Sequence, residues 1–391
     1  MERVRLGIAG IGNIAPLDVP GYLEHPHCDV VALCDPNVDK ARARADEWRV
    51  ETVHGSLDDL LADDRVDAVE LLTPTFMHAD HVVAAAAAGK HVSVQKPIAN
   101  TVSDGRRMLE ATREAGVTFR VNENCCHFQP LQRARELVRQ GEIGKPTVIR
   151  IKTVVGRSES AFQANLDPDG YVWRFDERSP GGHLFDDVVH KYAMALWLLD
   201  EHVRSVQAVV RKGPLFFEAP TAALWEYERD DLLGLMEVSY APWMPVRGHH
   251  YGADEFFEIQ GTHGFLWVTR MSGEMLDLPP LVLYREDGTT TTFADLETRY
   301  ELSHQRSSAD FVEALLEGRQ PDLSPEMAIE TLQLAFAVYA ASNERRPVAP
   351  SEIDESVSPP WWPKTQDELL EDVVELADAL RVDERLEALG D

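Results

Sequence analysis

The chain has 391 residues, with 67 Asp and Glu set against 38 Lys and Arg for a formal net charge of -29. That excess of acid, with no segregated run of Lys and Arg, excludes nucleic acid as a partner, and no apolar run reaches the roughly 18 to 20 residues of a membrane helix. The length exceeds that of one ordinary domain, so two domains are expected.

Val4 to Ala9 is an apolar run that reads as a buried parallel strand, and it turns at Gly10-Ile11-Gly12-Asn13-Ile14-Ala15. This is G-x-G-x-x-A, in which the first glycine allows a tight turn, the second admits a pyrophosphate and the small third residue lets helix and strand pack closely. Backbone amides at Gly10, Gly12, Asn13 and Ile14, with the positive end of the following helix, form the candidate phosphate cradle. A second strand, Asp29 to Cys34, ends at Asp35, whose carboxylate can accept the adenosine ribose hydroxyls and would repel a 2′-phosphate. That favours NAD over NADP. Helices are expected over Asn37 to Trp48 and from Ser56. A strand over Val66 to Leu72 stops at Thr73-Pro74, where a cofactor can lie across the strand end. An Ala-rich helix over His81 to Gly89, a strand over His91 to Val94, a helix over Val102 to Ala115 and a strand over Val117 to Asn122 complete a doubly wound parallel sheet. Gln95 and Lys96 stand at the fifth strand's end.

Beyond residue 122 the rhythm changes. A helix over Pro130 to Gln140 and a strand over Thr147 to Val155 lead into a polar loop that runs to Trp173, then a helix over His183 to Leu199. Six β-rich segments follow between Ser205 and Tyr284, which predicts an α+β domain with a large, mostly antiparallel open sheet. Two helices close it, the second running from a Ser324-Pro325 cap to Ser342. The expected division is therefore a dinucleotide-binding domain over 1–122, a substrate-binding and oligomerisation domain over 123–354, and an acidic tail over 355–391. No signal-peptide pattern opens the chain, so a cytoplasmic location is expected. Cys28, Cys34, Cys125 and Cys126 lack C-x-x-C spacing and read as reduced structural thiols. The apolar stretch Leu232 to Met236 points to a homo-oligomer, dimer or tetramer, built through the second domain.

Taken together, the Gly10-x-Gly12-x-x-Ala15 turn, Thr73-Pro74-Thr75 with His78, Ala88-Gly89-Lys90-His91-Val92 leading to Lys96-Pro97, Gly141-Glu142-Ile143-Gly144, Trp173-Arg174 and Gly181-Gly182-His183-Leu184-Phe185-Asp186-x-x-x-His190 resemble the Gfo/Idh/MocA oxidoreductases. The resemblance runs from residue 4 to about 350. It implies an NAD(P)-dependent dehydrogenase of sugars or cyclitols in which Lys96, Asp186 and His190 line the hydride-transfer site. Local chemistry fits that implication. Asp186 and His190, four positions apart, share one face of a helix, an imidazole suits proton abstraction from an alcohol, and a lysine stabilises charge on the same oxygen. Without the surrounding motifs, the same residues read as a strand end and a helical surface pair. Thr73, Pro74, His78, Gln95 and Lys96 complete the cofactor side. Lys96, His127, Trp173, Arg174, His183, Asp186 and His190 form the substrate side.

Two positions depart from the family pattern. Gln95 stands where a glutamate is usual, so Lys96 is expected to lack a neighbouring anion and to lose its proton more easily. His127 stands where an arginine is usual, as a changed substrate contact or as filling. His183, Asp187 and His190 have helical metal-site spacing, but no metal is expected, since a Lys/His hydride-transfer site needs none. Arg247, His249 and His250 are expected on a loop. The expected reaction is oxidation of a secondary hydroxyl of a sugar, glycoside or cyclitol. A redox glycoside hydrolase that recycles its NAD, and an NAD-binding regulator without catalysis, remain open from sequence.

Overall fold

The computed structural model describes residues 2–158, 178–213, 217–248, 252–353, 368 and 371. Six parallel strands, β1 (Val4–Ala9), β2 (Cys28–Cys34), β3 (Thr52–His54), β4 (Ala68–Leu71), β5 (His91–Gln95) and β6 (Phe119–Asn122), form one sheet in the order β3-β2-β1-β4-β5-β6. Between them run α1 (Ala15–Leu23), α2 (Val38–Trp48), α3 (Leu57–Leu61), α4 (Thr75–Ala87) and α5 (Val102–Ala115). β4 and β6 are buried at every residue, as expected when helices cover both faces of a parallel sheet. The helix starts are written locally: Asn37, Ser56 and Thr101 each accept a backbone N–H three residues on. Chain order reverses at β1, which lies between β2 and β4, and this switch point opens a crevice at the strands' carboxyl ends. The edge strand β3 has only three half-buried residues and left too little alternation to foresee.

The second sheet has eight strands: β7 (Pro146–Ser158), β8 (Val203–Val210), β9 (Thr221–Tyr227), β10 (Leu233–Val246), β11 (Ala253–Gly261), β12 (Gly264–Val268), β13 (Leu281–Arg285) and β14 (Thr290–Phe293). Their order is β14-β13-β12-β11-β7-β10-β9-β8, and every neighbouring pair is antiparallel except β7 with β10. Inward residues such as Ile149, Ile151, Met236, Val238, Phe257 and Trp225 share one core with α6 (Gln129–Arg139), α7 (His183–Asp186), α8 (Val189–Trp197) and α10 (Pro325–Glu344). The period of two is clean in β10, where Met236 and Val238 point inward while Leu233 and Leu235 remain exposed on the open face.

α9 (Tyr300–Glu317) follows the second sheet in sequence but returns to the first and packs on α1. A Cβ on Gly21 would stand 2.3 Å from the Gln305 carbonyl oxygen, so the two helices meet backbone to backbone. The helix expected over 183–199 is instead two helices. The His183 carbonyl accepts from both Asp187 and Val188 at 2.9 Å, and His190 N then reaches back only to Asp187 O. One wide turn followed by one tight turn therefore separates α7 from α8. Of the acidic tail, only Glu368 and Glu371 lie within the described residues, and Glu368 pairs with Lys212 at 3.2 Å.

Candidate active site

The turn after β1 is built as the glycine pattern demands. Gly10 has φ +94°, and a Cβ there would meet the Leu72 carbonyl oxygen at 2.6 Å. Around Gly12, no atom lies within 4 Å of the place a Cβ would take, so its backbone faces open space beside the N-terminus of α1. That cradle fits a pyrophosphate. Asp35 closes the turn: its carboxylate accepts from Ile11 N and from Asn37 N, both at 2.9 Å. Each oxygen retains a second lone pair for a ribose hydroxyl. Asn13 and Ile14 lead into α1, where Ile14 is an N-cap without a side-chain bond, so the first-turn amides rely on other acceptors.

At the next strand end, Pro74 precedes α4, and Thr73 Oγ1 lies 3.2 Å from His81 Nδ1. His78 is enclosed. Its Nδ1 faces the Pro97 and Ile98 carbonyls at 3.0 and 3.2 Å, and its Nε2 faces the Thr73 carbonyl at 2.9 Å. Burial brings the ring down to about 4, against the pull of those carbonyls, so His78 is a neutral tie between the β4 and β5 ends. A neutral ring has one N–H, which serves the Pro97 and Ile98 side or Thr73, and either choice keeps His78 beside the strand ends where the cofactor is expected.

Gln95 donates from Nε2 to Asp18 Oδ2 at 3.1 Å and accepts from Lys96 N at 2.8 Å. Lys96 then extends to the second half of the chain, donating to the Asp186 carbonyl at 2.8 Å. An anion does stand nearby. Glu123, just past β6, has Oε1 2.6 Å from His190 Nδ1 and accepts from Cys125 N at 3.0 Å. Burial opposes its charge, but His190, the Cys125 amide and Lys96 outweigh that and hold the carboxyl down to about 2. The neighbouring negative charge missing at Gln95 is thus supplied from another strand end.

Asp186 and His190 are both buried, but the break between α7 and α8 means they do not share one regular helical face. Of the residues at helical metal-site spacing, His183 has Nε2 3.3 Å from Asp187 Oδ2, whereas His190 turns to Glu123. Among the described residues, ligand-type atoms converge instead at Glu123, Cys125 and His190, all within 4.8 Å of one another. Burial pushes the Cys125 thiol well up, the wrong direction for a thiolate ligand, and Nδ1 of His190 is already engaged. Below the site, Lys191 is 1% exposed, donating to Asp187 Oδ2 at 2.9 Å and pairing with Glu255. The Gly181-Gly182-His183 approach is held by Glu218, which accepts from Gly182 N at 3.1 Å, Leu184 N at 2.9 Å and the Tyr339 hydroxyl.

His127 follows Cys126 at the end of the short turn after β6. It is buried toward α9, with Nε2 3.9 Å from Asp310 Oδ2, and fills the joint between helices. Trp173 and Arg174 lie outside the described residues, as do His249 and His250, while Arg247 is exposed and its carbonyl accepts from Glu274 N at 2.7 Å. Sequence reasoning missed Glu123, Glu218 and Lys191. For Glu123 a signal existed: an acid directly after a parallel strand, at the carboxyl end of the sheet where sites form. Glu218, in a loop between strands, carried none.

A family model described as an oxidoreductase family with an NAD-binding Rossmann fold matches residues 4–123, and one for the GFO/IDH/MocA C-terminal domain matches residues 131–267. The chain is 27% identical over 358 residues to a myo-inositol 2-dehydrogenase of Thermotoga maritima, covering 90% of this chain and 99% of that one. A scyllo-inositol 2-dehydrogenase (NAD(+)) of Bacillus subtilis is 25% identical over 360 residues, covering 90% and 97%. In fold, the chain is similar to scyllo-inositol dehydrogenase of Lactobacillus casei solved with NAD(H) and scyllo-inositol, with a TM-score of 0.72, 20% identity and coverage of 89% and 99%.

Proposed function

The chain belongs to the GFO/IDH/MocA oxidoreductases with an NAD-binding Rossmann domain, and from that premise we propose that it oxidises a secondary hydroxyl of a sugar, glycoside or cyclitol. The observation that carries this reading is that Lys96, at the carboxyl end of β5 in the cofactor sheet, donates to the Asp186 carbonyl of the second half, while His190 four positions on is held by Glu123 from just past β6. NAD, when bound, supplies the hydride acceptor. His190 takes the hydroxyl proton at Nε2, since Nδ1 is turned to Glu123. Lys96 donates from Nζ to the same oxygen and stabilises the charge that grows there. Asp186 orients the substrate beside the imidazole. Gly10, Gly12, Asn13, Ile14 and Asp35 hold the pyrophosphate and ribose, with Thr73, Pro74 and Gln95 along the nicotinamide side.

The relatives named above act on inositols, which favours a polyol ring as substrate. No helix among the described residues is long and apolar enough to cross a membrane, and the four unbridged cysteines fit a reducing compartment such as the cytoplasm. The open face of the second sheet, where Leu233, Leu235 and Tyr284 are exposed, is the surface through which copies of the chain pair into a dimer or tetramer. The test is a panel of sugars, glycosides and cyclitols scored by NADH absorbance. On the active substrate, His190→Ala should lower turnover by roughly 10²- to 10⁴-fold with NAD affinity unchanged. A panel with no NAD reduction, or near wild-type turnover in His190→Ala, overturns the reading.

A further inference from the structure

Glu123 is buried, adjoins both Lys96 and His190, and has no part in the reading above beyond its contact with His190. Its position is fixed from two sides. Its Oε1 accepts from Cys125 N at 3.0 Å as the N-cap of the short 3₁₀ turn Asn124–His127, and the same oxygen meets His190 Nδ1 at 2.6 Å. A ring nitrogen that close to a carboxylate carries a hydrogen. In the neutral imidazole the lone pair then belongs to Nε2, the nitrogen left to face the substrate. The contact also crosses the molecule, since Glu123 follows β6 of the first sheet and His190 lies on α8 beside the second.

We propose that Glu123 is a positioning residue of the reaction: it locks His190 in the Nδ1–H tautomer, with Nε2 as the proton acceptor, and balances the imidazolium formed when the substrate O–H bond breaks. This rests on the assignment of His190 as the base. The proton moves from the hydroxyl to Nε2, the Nδ1 hydrogen stays on the ring, and Glu123 remains ionised throughout. Both the Cys125 amide and the His190 Nδ1 hydrogen are directed at Oε1, and hydrogen bonds of that kind hold a carboxyl in its charged form against the cost of burial. The other groups facing the ring are the Cys125 thiol and Asp187, and the short contact at Nδ1 belongs to Glu123.

The experiment is nitrogen NMR of histidine-labelled enzyme saturated with NAD, with His190 identified by its loss in His190→Ala, combined with a double-mutant cycle in turnover. Wild type should show His190 as the Nδ1–H tautomer, and Glu123→Ala should lose it. Glu123→Ala should lower kcat by about 10- to 100-fold, the usual worth of a partner that orients a functional histidine, with KM for NAD within about twofold. In a His190→Ala background the same substitution should cost less than about twofold, because it acts through the ring. A wild-type Nε2–H tautomer, or an equal loss of kcat in both backgrounds, overturns the proposal, and His190→Gln serves to identify the signal should His190→Ala fail to fold. Intact turnover in His190→Ala instead removes the base assignment underneath, and the two failures are distinct because the spectrum reports the ring's placement alone.

Discussion

Replacing Glu218 with glutamine should change how stability depends on pH. The carboxyl is fully enclosed and holds the start of α7 through Gly182 N, Leu184 N and the Tyr339 hydroxyl. Burial pushes it up to about 7 from an ordinary 4.5, with Tyr339, the two amides and the charge of His183 pulling back. A raised folded-state value means the stabilising contribution is complete below pH 4.5 and is lost as pH rises through 7. At about 1.4 kcal/mol per pH unit, that window withdraws about 3 kcal/mol of folding free energy. The substituted glutamine does not titrate, but its amide N–H₂ confronts one of the two backbone donors, which costs about 1–3 kcal/mol. Glu218→Gln should therefore be the less stable protein near pH 5, and the gap should close or reverse by about pH 8. Urea midpoints read by the fluorescence of Trp197 and Trp225, buried in the same core, provide the assay. A gap that stays constant from pH 5 to 8 refutes the reasoning.

The glycine turn yields a paired test. Gly10→Ala should cost at least about 1–2 kcal/mol of stability, through its positive φ and the clash with Leu72. Gly12→Ala should leave melting unchanged and weaken NAD binding at least roughly tenfold by titration calorimetry, because its Cβ fills only the space a pyrophosphate needs. Asp35→Asn keeps an acceptor toward one of Ile11 N and Asn37 N but removes the charge, so it should narrow the preference for NAD over NADP by at least about tenfold. An unchanged ratio would place the discrimination elsewhere. Leu235→Arg should reduce the solution mass measured by light scattering, and a wild-type monomer at micromolar concentration contradicts pairing through the open sheet.

The parts of this molecule that were legible in the sequence are those governed by local rules. The Gly10–Ala15 turn and the caps at Ser56 and Ser324 each follow from a handful of adjacent residues. Lys96, Asp186 and His190 are candidates through motifs alone, and the structure brings Lys96 to the Asp186 carbonyl. What escaped depends on distant contacts. The break in the 183–199 helix arises from one carbonyl accepting two amides, which no periodicity records. Glu123 and His190 are 67 positions apart, and Glu218 reaches Tyr339 across 121. Gln95 brings no charge, as its sequence position says, and the acid that Lys96 acts on, Glu123, comes from just past β6.

The close approach of Gly21 and Gln305 bears on how the molecule is assembled. Asp18, at 0% exposure, accepts from Gln95 within the first sheet but also from His304 at 2.8 Å, while Ser308 donates to its carbonyl at 2.9 Å. Arg120, equally enclosed, bonds Asn122 and Ser307. A ribosome that has released the first six strands has therefore not released a finished nucleotide-binding unit. Until α9 emerges, Asp18 and Arg120 are charges without their full set of partners, and the glycine face of α1 stands bare. Contacts spanning more than 280 residues close late, after the loop entropy of the whole second sheet has been met. Completion of the first sheet's packing is thus postponed until α9 has been made, and anyone grafting this nucleotide-binding half onto another protein must carry α9 along with it.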